Sequence, residues 1–87
     1  MGVKEMKDCL RKMEALVKND FETISSAYIR LELKSCELIN GNTEAQFIVN
    51  GKLTDTWLYE VIHYQESNEF RVIRYRYVGM YEVYAGD

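Results

Sequence analysis

The chain has 87 residues, 47% hydrophobic and 29% charged, with a net charge of −3. That composition fits one globular domain over residues 1–87 with a single modest core, and it excludes a disordered chain. The mild acidity argues against a binder of nucleic-acid backbone, and the dispersed acids argue against a nucleic-acid mimic.

Residues 3–18 read as one amphipathic helix. Val3, Met6, Leu10, Met13, Leu16 and Val17 recur in steps of three and four, with Cys9 at the margin of the stripe. Asp8–Lys12 and Glu14–Lys18 have the i,i+4 spacing that lends weak support, and Asn19 is the expected C-terminal residue. Residues 20–26 are expected to connect, with at most one more helical turn begun by Asp20.

From residue 27 the period changes to two. Ile29, Leu31 and Leu33 alternate with Tyr28, Arg30, Glu32 and Lys34, the pattern of a half-buried strand. Asn40-Gly41-Asn42 marks a turn before a second strand carrying Ala45, Phe47 and Val49, and Asn50-Gly51 marks another turn. A two-residue loop at Asn40-Gly41 would set Leu31 and Leu33 on the face opposite Phe47 and Val49. A three-residue loop or a bulge restores one apolar face, and the longer loop is the expected solution.

The third strand runs from Trp57 to Tyr64. Its apolar residues compete for sides, Trp57, Tyr59 and Val61 against Leu58, Ile62 and Tyr64. Glu66-Ser67-Asn68 is the third turn. The last strand spans Phe70 to Tyr84, and simple alternation splits it into Ile73, Tyr75, Tyr77, Tyr81 and Val83 against Phe70, Val72, Arg74, Arg76, Val78, Met80 and Tyr84. Gly79 is expected to mark a bend or bulge.

The predicted fold class is therefore α+β: one N-terminal amphipathic helix packed on a four-stranded antiparallel meander, in the order α-β-β-β-β. This element order resembles that of the cystatins, and more distantly the cone of nuclear-transport-factor-like domains. The cystatin inhibitory hairpin reads Gln-x-Val-x-Gly. Here Gln46-Phe47-Ile48-Val49-Asn50-Gly51 has one residue too many between Gln and Val, and a chain without proline lacks the Pro-Trp pair of the second cystatin loop. The resemblance therefore implies a layout and carries no inhibitory residues.

Candidate chemistry is sparse. His63 is the only histidine, and Glu60, three residues away, falls on the opposite face of a strand. Cys9 and Cys36 are expected to be reduced, buried thiols. With these groups scattered singly and no Gly-rich phosphate loop, neither a metal, a cofactor nor an enzymatic activity is expected. Arg71, Arg74 and Arg76 interleaved with Tyr75 and Tyr77 would suit stacked single strands, but alternation separates those two tyrosines from Arg74 and Arg76, and pairing with Glu60 and Glu82 accounts for the arginines. Nucleic acid is not the expected partner. No run reaches the length of a membrane span and no uninterrupted apolar leader is visible, so the cytoplasm is the expected compartment.

Seven tyrosines against three phenylalanines and one tryptophan favour a surface that is sometimes wet and sometimes covered. One helix covers one face of such a sheet, leaving Tyr28, Arg30, Arg74, Arg76, Tyr75, Tyr77, Tyr81 and Tyr84 as the expected interaction surface. The expected function is a small non-enzymatic protein-interaction module, an inhibitor acting by surface occlusion. Phage and mobile-element products of the anti-CRISPR kind share its size and character. A protein partner is expected, and a homodimer would cover the exposed face or edge. The alternative is a cone-shaped small-molecule-binding domain, enzymatic if His63 faces inward, with a pocket lined by Trp57, Tyr59, Tyr75 and Tyr77.

Overall fold

The structure, a computed structural model, describes residues 3–24, 28–52 and 55–80. Helix α1 spans Val3–Ile24 and is followed by strands β1 (Tyr28–Ile39), β2 (Asn42–Gly51), β3 (Asp55–Tyr64) and β4 (Glu69–Met80). The strands form one antiparallel sheet in the order β1-β2-β3-β4, so the predicted α-β-β-β-β meander is the observed fold.

The helix is longer than its sequence pattern predicts. Continuing past Asn19 places Phe21 four residues after Val17, on the same stripe as Cys9 and Met13. All four are buried, and Met13, Val17 and Phe21 have no exposed surface. Cys9 is thus a full member of the stripe, which advances in steps of four. The stripe packs on Ala45, Phe47 and Val49 of β2 and on Tyr59 and Val61 of β3, with Leu10, Leu16, Leu31, Trp57, Phe70 and Val72 around the margin. The last turns also carry Asp20, whose carboxylate accepts a hydrogen bond from the Tyr59 hydroxyl at 3.0 Å. Burial and that neighbouring carboxylate push the Tyr59 phenol well above its ordinary pKa.

Register explains how each strand shows one side to the helix. Ile39 pairs with Asn42, so the β1–β2 turn has two residues, and Asn40 (φ 54°) and Gly41 (φ 85°) both take left-handed conformations. That is the primed turn favoured by an Asn-Gly pair. The positive φ is what calls for glycine at Gly41, since the nearest atom to a Cβ there is Oε1 of the exposed Gln65 side chain (2.5 Å), which can move aside. The expected three-residue loop is absent. A bulge between Leu33 and Ser35 supplies the correction instead, leaving Leu31 opposite Val49, Leu33 opposite Phe47 and Cys36 opposite Ala45. In β3, Trp57, Tyr59, Val61 and His63 share the helix side, paired without irregularity to Val49, Phe47, Ala45 and Thr43.

Strand β4 departs from simple alternation for the same reason. Glu60 pairs with Arg74 but Val61 with Val72, so Ile73 is an extra residue and the sides exchange there. Phe70, Val72, Tyr75 and Tyr77 therefore all face the helix side, and Arg71, Arg74 and Arg76 all face away. Alternation without the bulge had placed Phe70 and Val72 with the arginines. A second irregularity leaves Val78 between Tyr77 (opposite Trp57) and Gly79 (opposite Thr56), and Gly79 has a φ of 128°. Gly79 thus sits at the bulge its sequence position predicts.

Phe21 is the residue that most separates the observed helix from the shorter predicted one. Phe21→Ala is expected to cost about 3–5 kcal/mol, a large share of the roughly 5–15 kcal/mol available to a small domain. Urea unfolding followed by circular dichroism measures this. A loss below about 1 kcal/mol would mean that the helix ends near Asn19 in solution.

Candidate functional site

Two surfaces and one cleft hold the polar and aromatic groups of interest. The first surface lies on the helix side at the β4 margin. Phe21, Trp57, Tyr59, Tyr75 and Tyr77 form one ring cluster. Tyr59 stacks on Tyr75 (5.3 Å between centroids), Trp57 meets Tyr77 edge-on (5.6 Å) and Tyr75 at a tilt (6.1 Å), and Phe21 meets Trp57 and Tyr59 edge-on (6.2 and 6.3 Å). The Trp57 indole N–H donates to Oδ2 of Asp55 at 2.7 Å, which fixes the ring. Burial grades outward across the cluster: Phe21 and Tyr59 are inaccessible, while Tyr75 and Tyr77 are 46% and 51% exposed. Each outer ring therefore rests on an inner one, a terrace of restrained aromatics with one wet side.

The second surface is the helix-free face of the sheet, whose rows can be read across all four strands from the register. Ser35, Gln46, Glu60 and Arg74 form one such row and are bonded in sequence. The Ser35 hydroxyl donates to Gln46 Oε1 (3.2 Å), the Gln46 amide donates to Glu60 Oε2 (2.8 Å), and the Arg74 guanidinium grips Glu60 through Nε and Nη2 (2.8 and 2.9 Å). The Arg74 fork, seconded by Gln46, holds the Glu60 carboxyl below the usual carboxylate range against the opposing effect of partial burial. Beside this ladder the rows are Glu37, Glu44, Ile62, Arg71 and Glu32, Ile48, Leu58, Arg76. Apart from Arg30 on β1 and Glu60 on β3, acids in these rows thus collect on β1 and β2 and arginines on β4, with Ile48, Leu58 and Ile62 between them.

The cleft opens between the first half of α1 and the β3–β4 hairpin. It has a volume of about 250 Å³ and is lined by Glu5, Asp8, Cys9, Lys12, His63, Asn68 and Phe70. His63 Nε2 lies 2.7 Å from Asn68 Oδ1, and its ring packs on Phe70 at 4.4 Å. Burial, with Cys36 as a second cause, pushes the Cys9 thiol above its ordinary pKa. That is the opposite of the activation a nucleophilic cysteine requires. Glu60 lies on the other side of the sheet from His63, so the two do not combine. Both cysteines are free thiols, Cys9 buried and Cys36 partly so. Among the described residues no group of three or more His, Cys, Asp or Glu side chains is arranged to hold a metal ion, and no helix is long and apolar enough to cross a membrane.

The interaction residues expected from sequence divide between the two surfaces. Arg30, Arg74 and Arg76 lie on the helix-free face, where Arg30 pairs with Glu32 at 2.6 Å, and Tyr75 and Tyr77 lie on the helix side, as alternation predicts. Tyr28 is placed as backbone at the start of β1, opposite Gly51, while Tyr81 and Tyr84 fall outside the described residues. Sequence reasoning anticipated an arginine pairing with Glu60 but missed Ser35 and Gln46 in that row and the acids Glu37 and Glu44; the two-residue turn sets Ser35 opposite Gln46 and Glu37 opposite Glu44, and the bulge at Ile73 sets Arg74 opposite Glu60. No protein-family model, curated protein or solved structure matches this chain.

The depressed Glu60 pKa gives the ladder a pH signature. Its contribution is fully present above the ordinary glutamate value and is lost as pH falls through the lower folded value. Glu60→Gln is expected to lower the urea midpoint at pH 7, with the gap to wild type closing below about pH 4, where the unfolded carboxyl protonates. A gap that stays constant from pH 7 to pH 2.5 would assign the loss to packing.

Proposed function

We propose that this chain is a small non-enzymatic protein-binding module whose contact surface is the aromatic terrace at the β4 margin, and that it acts by occluding the surface it binds. The observation that carries this is the pair of half-exposed tyrosines that the ring cluster holds on the helix side of edge strand β4: Tyr75 and Tyr77 are 46% and 51% exposed. Such a strand is an aggregation hazard unless something covers it. Its two bulges blunt the edge against strand pairing, so the contact is made by side chains. Trp57, Tyr75 and Tyr77 are already held by their ring contacts, which lowers the ordering cost of binding. Tyrosine and tryptophan are also the residue types most often found to dominate binding energy.

The partner that fits is a protein with an apolar patch rimmed by hydrogen-bond acceptors, which would receive the tyrosine rings and their hydroxyls. Occlusion of host machinery by a mobile-element product is a setting that suits the chain's size and composition. The four residues of the alternative ligand cone, Trp57, Tyr59, Tyr75 and Tyr77, pack against one another, and Tyr59 has no exposed surface. Their packing favours a contact surface over a cavity.

The test begins with affinity capture on the wild-type chain, identification of the bound protein by mass spectrometry, and titration of that purified protein by calorimetry. Tyr77→Ala is expected to weaken binding about 30-fold, equivalent to roughly 2 kcal/mol at a dominant contact, and Tyr75→Ala to weaken it similarly while the far-ultraviolet spectrum is retained. Wild-type affinity in both folded variants would show that the terrace is not the contact.

A further inference from the structure

We infer that the helix-free face of the sheet binds a second copy of this chain, forming a twofold β-sandwich whose symmetry axis runs parallel to the strands. This site is separate from the aromatic terrace and goes beyond the function proposed for it.

The charge pattern selects both the occupant and the axis. Across the face, β1 presents Arg30, Glu32, Ser35 and Glu37, and β4 presents Gly79, Arg76, Arg74 and Arg71 in the matching rows. An axis along the strands, lying in the interface, sets β1 of one copy over β4 of the other and keeps every row in line. Glu37 then faces Arg71 of the second copy, Glu32 faces its Arg76, Ser35 its Arg74, Gln46 its Glu60 and Ile48 its Leu58. Each contact occurs twice, as twofold symmetry requires. An axis across the strands would set β4 on β4, with Arg74 against Arg74 and Arg71 against Arg76, and Glu32 against Glu37. Like-charge juxtaposition of that kind opposes association.

Two further observations fit this arrangement. Among the described residues Glu37, Glu44 and Arg76 form no ion pair, although Arg76 also acts on Glu60, and Glu32 and Arg71 hold only exposed pairs with Arg30 and Glu69 on their own strands, which a facing copy would share. A depression of about 260 Å³ on this face is lined by Ser35, Glu37, Glu44, Gln46, Glu60 and Ile73, among others, an acidic concavity suited to an arginine from the facing sheet. Aligned sheets pack about 10 Å apart, which long side chains of this kind span. Four strands at about 4.8 Å and eight residues at about 3.4 Å give a footprint of roughly 500 Å² per copy. A total near 1,000 Å² sits at the lower limit of specific interfaces and implies a weak, salt-sensitive dimer.

Sedimentation equilibrium of the full chain at low and high salt tests this. At about 50 mM salt the wild type is expected to approach twice the 10.3 kDa chain mass as concentration rises to several hundred micromolar, with at least tenfold weaker association at about 500 mM. Glu37→Arg and Arg71→Glu are each expected to weaken dimerisation at least tenfold, and the double reversal to restore it to within about threefold. Melting temperatures serve as the check on folding for these exposed positions. Tyr77→Ala is expected to leave the dimer intact, because it lies on the other side of the sheet. A wild type that stays monomeric at these concentrations, or a double reversal that restores nothing, would overturn the proposal without touching the terrace. A dimer dissolved by Tyr77→Ala and indifferent to charge reversal would overturn it in favour of self-association through the terrace.

Discussion

One helix has to cover a sheet wider than itself, and the rest of the molecule follows from that mismatch. A helix with its side chains is about 10–12 Å across, whereas four strands span nearly twice that. The helix settles over the middle, where Met13, Val17 and Phe21 meet Phe47 and Tyr59 and all solvent is excluded. The outer strands keep apolar residues that it does not reach: Leu33 and Leu38 on β1, Tyr75 and Tyr77 on β4. The opposite face has no helix and compensates with a hydrogen-bonded row and long arginine and glutamate side chains around Leu58 and Ile62, which stay buried at 6% and 7% exposed. Such side chains cover apolar surface with their stems while their charges stay wet.

The bulges make this division of labour workable. Each edge strand carries an apolar set that strict alternation would have split between two sides, and one extra residue in each strand gathers that set on the helix side. The same extra residue gathers Arg71, Arg74 and Arg76 away from the helix. Local backbone irregularity therefore converts an ambiguous strand into one aromatic margin and one basic margin. The roles proposed for both surfaces depend on that conversion, because without the extra residue Arg71 would share a side with Tyr75 and Tyr77 and Glu60 would no longer meet Arg74.

Much of this was legible in the sequence, for identifiable reasons. The 3.6-residue stripe of α1, the period-two segments and the Asn-Gly turn signal led to the correct element order, since each is a local pattern. The helix end was misplaced because Asn19-Asp20 resembles a stop signal, and only the distant Tyr59 and the core position of Phe21 override it. The β1–β2 register was correctly seen to need a correction, but the loop was favoured over the bulge. Both satisfy the same burial constraint, and no local signal at Lys34 separates them. The site was legible in part: alternation placed Tyr75 and Tyr77 opposite Arg74 and Arg76, whereas the charge rows of the helix-free face depend on alignment across four strands.

The central claim is that the two sides of the sheet do different work, the aromatic margin meeting a target and the charged face meeting a second copy. Backbone and tyrosine-ring chemical shifts, recorded while the protein is concentrated alone and then while it is titrated with its captured target, test this most directly. The account predicts that concentration moves signals of Glu32, Glu37, Arg71 and Arg76, and that the target moves those of Trp57, Tyr75 and Tyr77. A single set of residues responding to both titrations would contradict it.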